Sequence, residues 1–186
     1  MGLPLHKLTL ADFLSWENEQ IERHEFHRGE VFAMVGGRRT HERVIANLIR
    51  HLGNLLDGSA CQVFAAGMKL QVADDTILYP DVMVTCDKAD LAAEMALRAP
   101  TLVIEVLSPS TQGYDRSQKF ALYRQLPSLR EYLLIDPDSK RVEAFRRDAA
   151  DQWLFFDMSQ DDSVRAASLG LTMTMAAVFD GVDPPV

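Results

Sequence analysis

The stretch 101-TLVIEVLSP-109 decides how this chain is read. Leu102, Val103, Ile104, Val106 and Leu107 mark a buried strand, and Glu105 stands in their midst. An ionised carboxylate buried without a partner costs several kcal/mol, so Glu105 must be paired, metal-bound or protonated. The rest of the chain bears on which.

A second acid interrupts a second apolar strand. In 77-ILYPDVMVTC-86, Asp81 follows Pro80, and one short helical excursion, 88-KADLAAEMAL-97, separates this strand from that of Glu105. The two strands can therefore be neighbours in a sheet. Carboxylates brought together in this way repel each other unless a cation lies between them. Hard oxygen ligands suit Mg²⁺ or Mn²⁺, which keep waters and accept phosphate oxygens. Such an ion acidifies a bound water and neutralises charge at a phosphorus centre. Lys119, in 114-YDRSQKFALYR-124, lies on the helix that begins just after the Glu105 strand. Its amine can reach the same end of the sheet, to orient an attacking water or steady a pentacovalent phosphate.

The remaining elements frame these strands. Thr9 and Asp12 cap a short amphipathic helix carrying Leu10, Phe13, Leu14 and Trp16. The run 24-HEFHRGEVFAMV-35 reads as a hairpin about Arg28 and Gly29. Val44, Ile45, Leu48, Ile49, Leu52, Leu55 and Leu56 recur at helical spacing, and Gly58 stops that helix. A β-rich middle with a turn at 73-ADDT-76 follows, then the helix of Lys119 ended by Pro127, and the strand 131-EYLLIDP-137. A hairpin spans 141-RVEAFRRDAADQWLFFDM-158, and 169-LGLTMTMAAVF-179 is a terminal strand or helix. No repeat or linker divides the chain. Residues 1–186 read as one α/β (α+β) domain, a mixed β-sheet flanked by helices.

At 186 residues with 47% hydrophobic content, a full core needs no disulfide. The net charge of −8 argues against a tight nonspecific nucleic-acid binder, which carries a basic face, though a local patch still suffices for a nuclease. Cys61 and Cys86 lack a CxxC partner or His cluster and read as buried, reduced thiols. The opening 1-MGLPLHKLTLADF-13 lacks the apolar core of a signal peptide, and no run reaches membrane-span length, so a cytoplasmic location is expected.

Four segments together carry a resemblance: YPDVMV, LVIEVLSPST, YDRSQKFALYRQL and EYLLIDP, supported by HEFHRGEVFAM, THERVIANLIRHL and LGLTMTMAAVF. The chain resembles the Uma-type restriction endonuclease family of the PD-(D/E)XK nuclease superfamily along nearly its whole length. The resemblance implies a restriction-endonuclease-like core, an acidic Mg²⁺ or Mn²⁺ site and a homodimer. It implies Asp81 and Glu105 as metal ligands beside the Val106 backbone carbonyl, and Lys119 as the catalytic residue that positions the hydroxide or steadies the transition state. Glu25 matches the family's early acid. In the superfamily the lysine usually stands two residues after the second acid, where this chain has Leu107; the Uma-type pattern moves it to the following helix.

Each residue also has a plainer use. Asp81 can bond local backbone after Pro80, and Glu105 can pair with an Arg or Lys. Lys119 can form an i,i+4 surface pair with Asp115, and Glu25 can be a cross-strand charge. His41 is expected to be solvated, Ser108, Ser110 and Thr111 to cap a helix, and Arg38, Arg39 and Arg43 to lie in a solvated loop. The charges of 140-KRVEAFRR-147 read as a solvated strand face. Three functions compete on these residues. The first is a metal-dependent nuclease hydrolysing phosphodiester bonds, DNA foremost. The second is a nuclease-fold binding or dimeric scaffold protein without turnover. The third is a small-molecule hydrolase using the same acids, which an apolar pocket beside Glu105 would favour.

Overall fold

The computed structural model of the protein describes residues 8–34 and 36–183. Residues 1–7, where a leader was sought, and Val35, which closes the hairpin run, lie outside these. Helix α1 (Leu10–Glu17) begins at Thr9, whose side chain accepts from Asp12 N while Asp12 reaches back to Thr9 N. Strands β1 (His24–His27) and β2 (Glu30–Ala33) turn at Arg28 (φ 51°) and Gly29 (φ 87°), the left-handed pair that matches strand twist in a two-residue hairpin. Helix α2 (Arg39–Leu56) buries Val44, Ile45, Leu48, Leu52 and Leu56 along one stripe.

The middle of the chain supplies β3 (Gln62–Ala65), β4 (Lys69–Ala73), β5 (Thr76–Leu78), β6 (Val82–Thr85), α3 (Lys88–Leu91), β7 (Ala96–Leu97) and β8 (Pro100–Val106). The helix expected before Pro127 is broken into α4 (Gln112–Tyr114), a π-helical turn (Asp115–Lys119) and α5 (Phe120–Tyr123). Strands β9 (Glu131–Asp136), β10 (Arg141–Arg147) and β11 (Trp153–Asp157) follow. The C-terminal run holds both a strand and a helix, β13 (Leu171–Thr174) and α6 (Met175–Val178), with β13 paired to β12 (Ser163–Ala166), a strand the sequence pattern does not announce.

The class is mixed α/β, with mixed sheets flanked by helices. The strands divide between two larger sheets rather than lying in one. One sheet has the order β2-β1-β5-β4-β7 and the other β11-β10-β9-β8-β6-β3. Each contains one parallel pair, β4 with β7 and β8 with β9. The chain passes between the sheets more than once, and one of these crossings falls at Tyr79-Pro80-Asp81, between β5 in the first sheet and β6 in the second. Proline donates no ladder hydrogen bond, so Pro80 ends one strand and the chain re-aims before the next. Asp81 and β1 are thereby held at the seam between the sheets.

The six-stranded sheet is covered on both sides. Val82, Val84, Leu102, Ile104 and Val106 pack with α2, while Met83, Val103, Leu107 and Leu134 pack with Tyr123 and Leu126. Alternation along β8 puts Glu105 on the second side, with Val103 and Leu107. The smaller sheet buries Phe26, Ile77 and Tyr79 against Phe13 of α1.

The reading of two reduced thiols is corrected. Cys61 and Cys86 form a disulfide with Cα atoms 4.1 Å apart. They flank the antiparallel pair β3–β6, whose register Gln62↔Thr85 sets them directly opposite each other. Spacing along the chain could not show this, because the strand pairing makes it. No described helix is long and apolar enough to cross a membrane.

Candidate active site

Asp81 and Glu105 are neighbours across β6 and β8, where the register Val82↔Ile104 places the end of one strand beside the start of the other. Asp81 Oδ2 accepts the backbone N–H of Val106 at 2.8 Å, and Asp81 N lies 3.4 Å from Glu105 Oε2. Glu105 is 2% exposed. Its Oε1 accepts from Lys119 Nζ at 3.1 Å and from the Tyr123 hydroxyl at 2.6 Å. The acid in the strand is thus paired through one oxygen. Apart from the long contact to Asp81 N, its Oε2 has no partner among the described residues, and neither has Asp81 Oδ1.

Lys119 is buried and not at the surface, which corrects the i,i+4 surface-pair reading. Its ammonium lies 3.1 Å from Glu105, 3.3 Å from Glu25 Oε1 and 3.5 Å from Asp115 Oδ1. Asp115, Lys119 and Tyr123 recur at i, i+4 and i+8, and the π-helical turn carries the first two onto one face toward β8. Glu25 is equally buried. Its β2 partner is Phe32, so it is no cross-strand charge, and its Oε1 also accepts the Tyr79 N–H at 3.3 Å.

The cluster gathers Glu25, Asp81, Glu105 and Asp115 around one lysine, with His41 Nε2 3.4 Å from Asp81 Oδ2. Burial raises Glu105 well above the ordinary carboxylate range, with the Asp81 and Asp115 charges adding and Lys119 and Tyr123 opposing. Burial likewise raises Asp115 against the pull of Lys119. Burial alone would lower Lys119, but Glu105, Glu25, Asp115 and Asp81 outweigh it and hold the amine well above its usual value. Lys119 is therefore a fixed cation rather than a base. His41 follows the same logic, pushed down by burial but raised overall by Asp81 and Glu42. It is half-buried against Asp81 and not solvated, a further correction.

These groups line a cavity of about 590 Å³ that takes in Glu25, Asp81, Glu105, Val106, Asp115 and Lys119 on its polar side. Its other walls are largely apolar, with Phe32, Met34, Pro109 and Tyr114 prominent. Among the described residues no three His, Cys, Asp or Glu side chains converge at metal-ligand spacing. Two carboxylates with free oxygens still suit Mg²⁺ or Mn²⁺, which bind proteins through one or two carboxylates and keep several waters. The excess of four carboxylates over one lysine favours a cation there.

The other candidates have partners of their own, although Arg38, Ser108, Ser110 and Thr111 also line the cavity. Ser108 Oγ meets Ser110 and Thr111 and accepts Thr111 N in the turn before α4, whose N-cap residue Thr111 makes no side-chain capping bond to the helix. Arg38 forks onto Asp138, while Arg39 and Arg43 donate to the carbonyls of Gly181, Val182 and Asp180. These arginines fasten the C-terminal segment and the β9–β10 turn. In β10, Arg146 pairs with the fully buried Glu131 and Arg147 donates to the carbonyls of Arg124 and Leu126. Arg146 and Arg147 are thus structural, while Lys140 and Arg141 at the start of the run are exposed as expected. Tyr123 and Asp115 were legible only through their spacing from Lys119.

A family model with the description "Putative restriction endonuclease", Uma2, matches residues 10–176. The chain is 34% identical over 180 residues to the uncharacterized protein slr1290 of Synechocystis sp. (strain ATCC 27184 / PCC 6803 / Kazusa), covering 96% of this chain and 95% of that one. It is 36% identical over 159 residues to the uncharacterized protein sll1609 of the same organism, covering 84% and 90%. The fold is similar to that in the crystal structure of a "putative nuclease belonging to DUF820" from Anabaena variabilis ATCC 29413. The TM-score is 0.78 at 19% identity, covering 94% of this chain and 98% of that one.

Proposed function

The chain belongs to the Uma2 family, and from that premise we propose that it is a metal-dependent nuclease that hydrolyses phosphodiester bonds, DNA foremost, and works as a homodimer. The observation that carries the reading is a pair of oxygens at the wall of one cavity beside a fixed ammonium: Asp81 Oδ1, without a partner among the described residues, and Glu105 Oε2, which has only the long 3.4 Å contact from Asp81 N. Asp81, Glu105 and the Val106 carbonyl are the groups that would hold Mg²⁺ or Mn²⁺. When bound, the ion supplies an acidified water and neutralises charge at phosphorus.

The protein's own groups do the rest. Tyr123 and Lys119 grip Glu105 Oε1 and so turn Oε2 toward the cavity. His41 and Val106 N fix Asp81 in the same way. Lys119, kept protonated by its carboxylates, holds the attacking water by hydrogen bond and meets the charge that grows on the phosphate. Losing such a donor costs about 10²–10³-fold in rate. Glu25 and Asp115 hold the lysine in place.

The test is nicking of supercoiled plasmid with Mg²⁺ or Mn²⁺, wild type beside Asp81→Ala. Metal-dependent nicking that disappears in the variant supports the reading; equal nicking by both sinks it. The apolar walls of the cavity favour a second reading, a small-molecule hydrolase using the same acids. Metal-dependent turnover of bis(p-nitrophenyl) phosphate with plasmid, RNA and single strands left intact would select it.

A further inference from the structure

The six-stranded sheet ends in β11, and this edge lacks the usual protection. Its five residues, 153-WLFFD-157, contain no lysine or proline, and its register with β10 runs without a bulge. Leu154, Phe155 and Phe156 are 44%, 56% and 38% exposed. Soluble proteins guard such edges because a bare strand is a template for another strand.

The backbone of this edge has a definite parity. Asp148 N donates to Gln152 O, and Met158 N to Val142 O. Between these two bonds the register pairs Arg146 with Leu154 and Ala144 with Phe156, so Leu154 and Phe156 turn their backbone groups inward to β10. The N–H and C=O groups of Trp153, Phe155 and Asp157 therefore point outward. Among the described residues none of them has a partner.

We propose that β11 is the dimer seam, pairing antiparallel with β11 of a second copy about a two-fold axis at Phe155. A second copy fits because the segment is complementary to itself in this register. Phe155 exchanges both backbone bonds with its own counterpart, and Trp153 does so with Asp157 of the other copy. Leu154 then faces Phe156 twice at the closer, non-hydrogen-bonded positions, on the opposite side of the sheet. No charge is set against a like charge, since Asp157 meets a tryptophan. The edge strand β2 is less suited: its Phe32 already lines the cavity. The seam lies three strands from Glu105, so each active site is complete within one chain. The inference stands apart from the nuclease reading except for its expectation of a dimer.

The test is sedimentation at micromolar concentration, with Phe155→Lys as the disrupting variant and Phe155→Cys as a reporter. The wild type should sediment at twice the 20.9 kDa chain mass, and Phe155→Lys, with unchanged far-UV circular dichroism, at the chain mass. Hydrogen-bonded antiparallel positions have Cα atoms about 5.5 Å apart, within disulfide range. Phe155→Cys should therefore give a covalent dimer on mild oxidation, while Cys at the fully exposed Ile21 should not. A monomeric wild type overturns the proposal. So does a dimer that survives Phe155→Lys, or a Phe155→Cys protein that crosslinks no faster than the Ile21 control. Should Phe155→Lys fail to fold, the crosslink alone decides. Plasmid nicking is read separately, so a dead enzyme with this seam and an active one without it are told apart.

Discussion

Lys119 Nζ lies 3.1 Å from Glu105 Oε1 although it comes 14 residues later in the chain. The position two after the acid, where a lysine on the same strand face would sit, is taken by Leu107, buried among Val103, Tyr123 and Leu134. The π-helical turn brings the ammonium back from the next element to the point that Leu107 vacates chemically. A lysine delivered by a helix depends on that helix keeping its register.

Replacing Lys119 with Met tests what the ammonium does for the fold. The substitution leaves Glu105, Glu25 and Asp115 buried without their common cation. Breaking a buried charge network in this way costs about 3–5 kcal/mol. Urea denaturation in EDTA should show a loss of that size, partly relieved at low pH where the acids protonate. A change below about 1 kcal/mol, in the range of exposed ion pairs, would contradict the buried arrangement. Lys119→Arg, which keeps the charge, should recover part of the stability but little nicking, since its larger fork cannot sit among three carboxylates at these distances.

Tyr123→Phe removes a single hydroxyl, the one that donates to Glu105 Oε1 at 2.6 Å. The ring remains packed against Tyr132. A hydrogen bond to a charged group is worth about 1.5–3 kcal/mol, and this variant should lose that much unfolding free energy. Nicking should fall as well, because Glu105 Oε2 is no longer turned by a fixed Oε1. A variant as stable as the wild type would show that Glu105 does not use this bond.

The pH dependence of stability should expose His41. Its imidazole is lowered by burial but raised overall by Asp81 and Glu42, so the folded protein holds this proton more tightly than the unfolded chain. A raised pKa stabilises fully below the unfolded value, about 6.5, and that contribution is lost as pH rises through the folded value. Thermal melts in EDTA should show wild type ahead of His41→Gln at pH 6, with the gap closing toward pH 9. A gap that widens with pH would give the opposite sign and refute the contact with Asp81.

Much of this fold was legible because local chemistry and tertiary packing agree. Thr9 with Asp12, Arg28 with Gly29, and the apolar stripe of α2 each specify an element in a few residues. The pairing of Asp81 with Glu105 followed from two strands, each interrupted by an acid, with only a short connection between them. What stayed hidden depends on register between distant segments. The division into two sheets is made by pairing among strands distant in the chain, and Pro80, at one of the crossings, reads locally as a strand start. Lys119 looked like half of a surface pair because spacing along a helix cannot tell which face is buried. Arg39 and Arg43 read as part of a solvated loop because nothing local shows the C-terminal carbonyls they bind.

The disulfide is the clearest case of information that only pairing supplies, and it yields the last prediction. Cys61 and Cys86 close a loop with a sequence separation of 25 residues. In the chain-entropy treatment a loop of this length restricts the unfolded state by about 3.5 kcal/mol at 25 °C. Cys86→Ser should lower the unfolding free energy by up to that amount, and a reductant should do the same to the wild type but nothing further to the variant. The bond joins the ends of β3 and β6 remote from Asp81, which begins the opposite end of β6, so metal-dependent nicking at 25 °C should survive its loss. If reductant leaves the wild-type urea midpoint unmoved, the two sulfurs are not bonded in solution, and the β3–β6 register must hold through its backbone ladder alone.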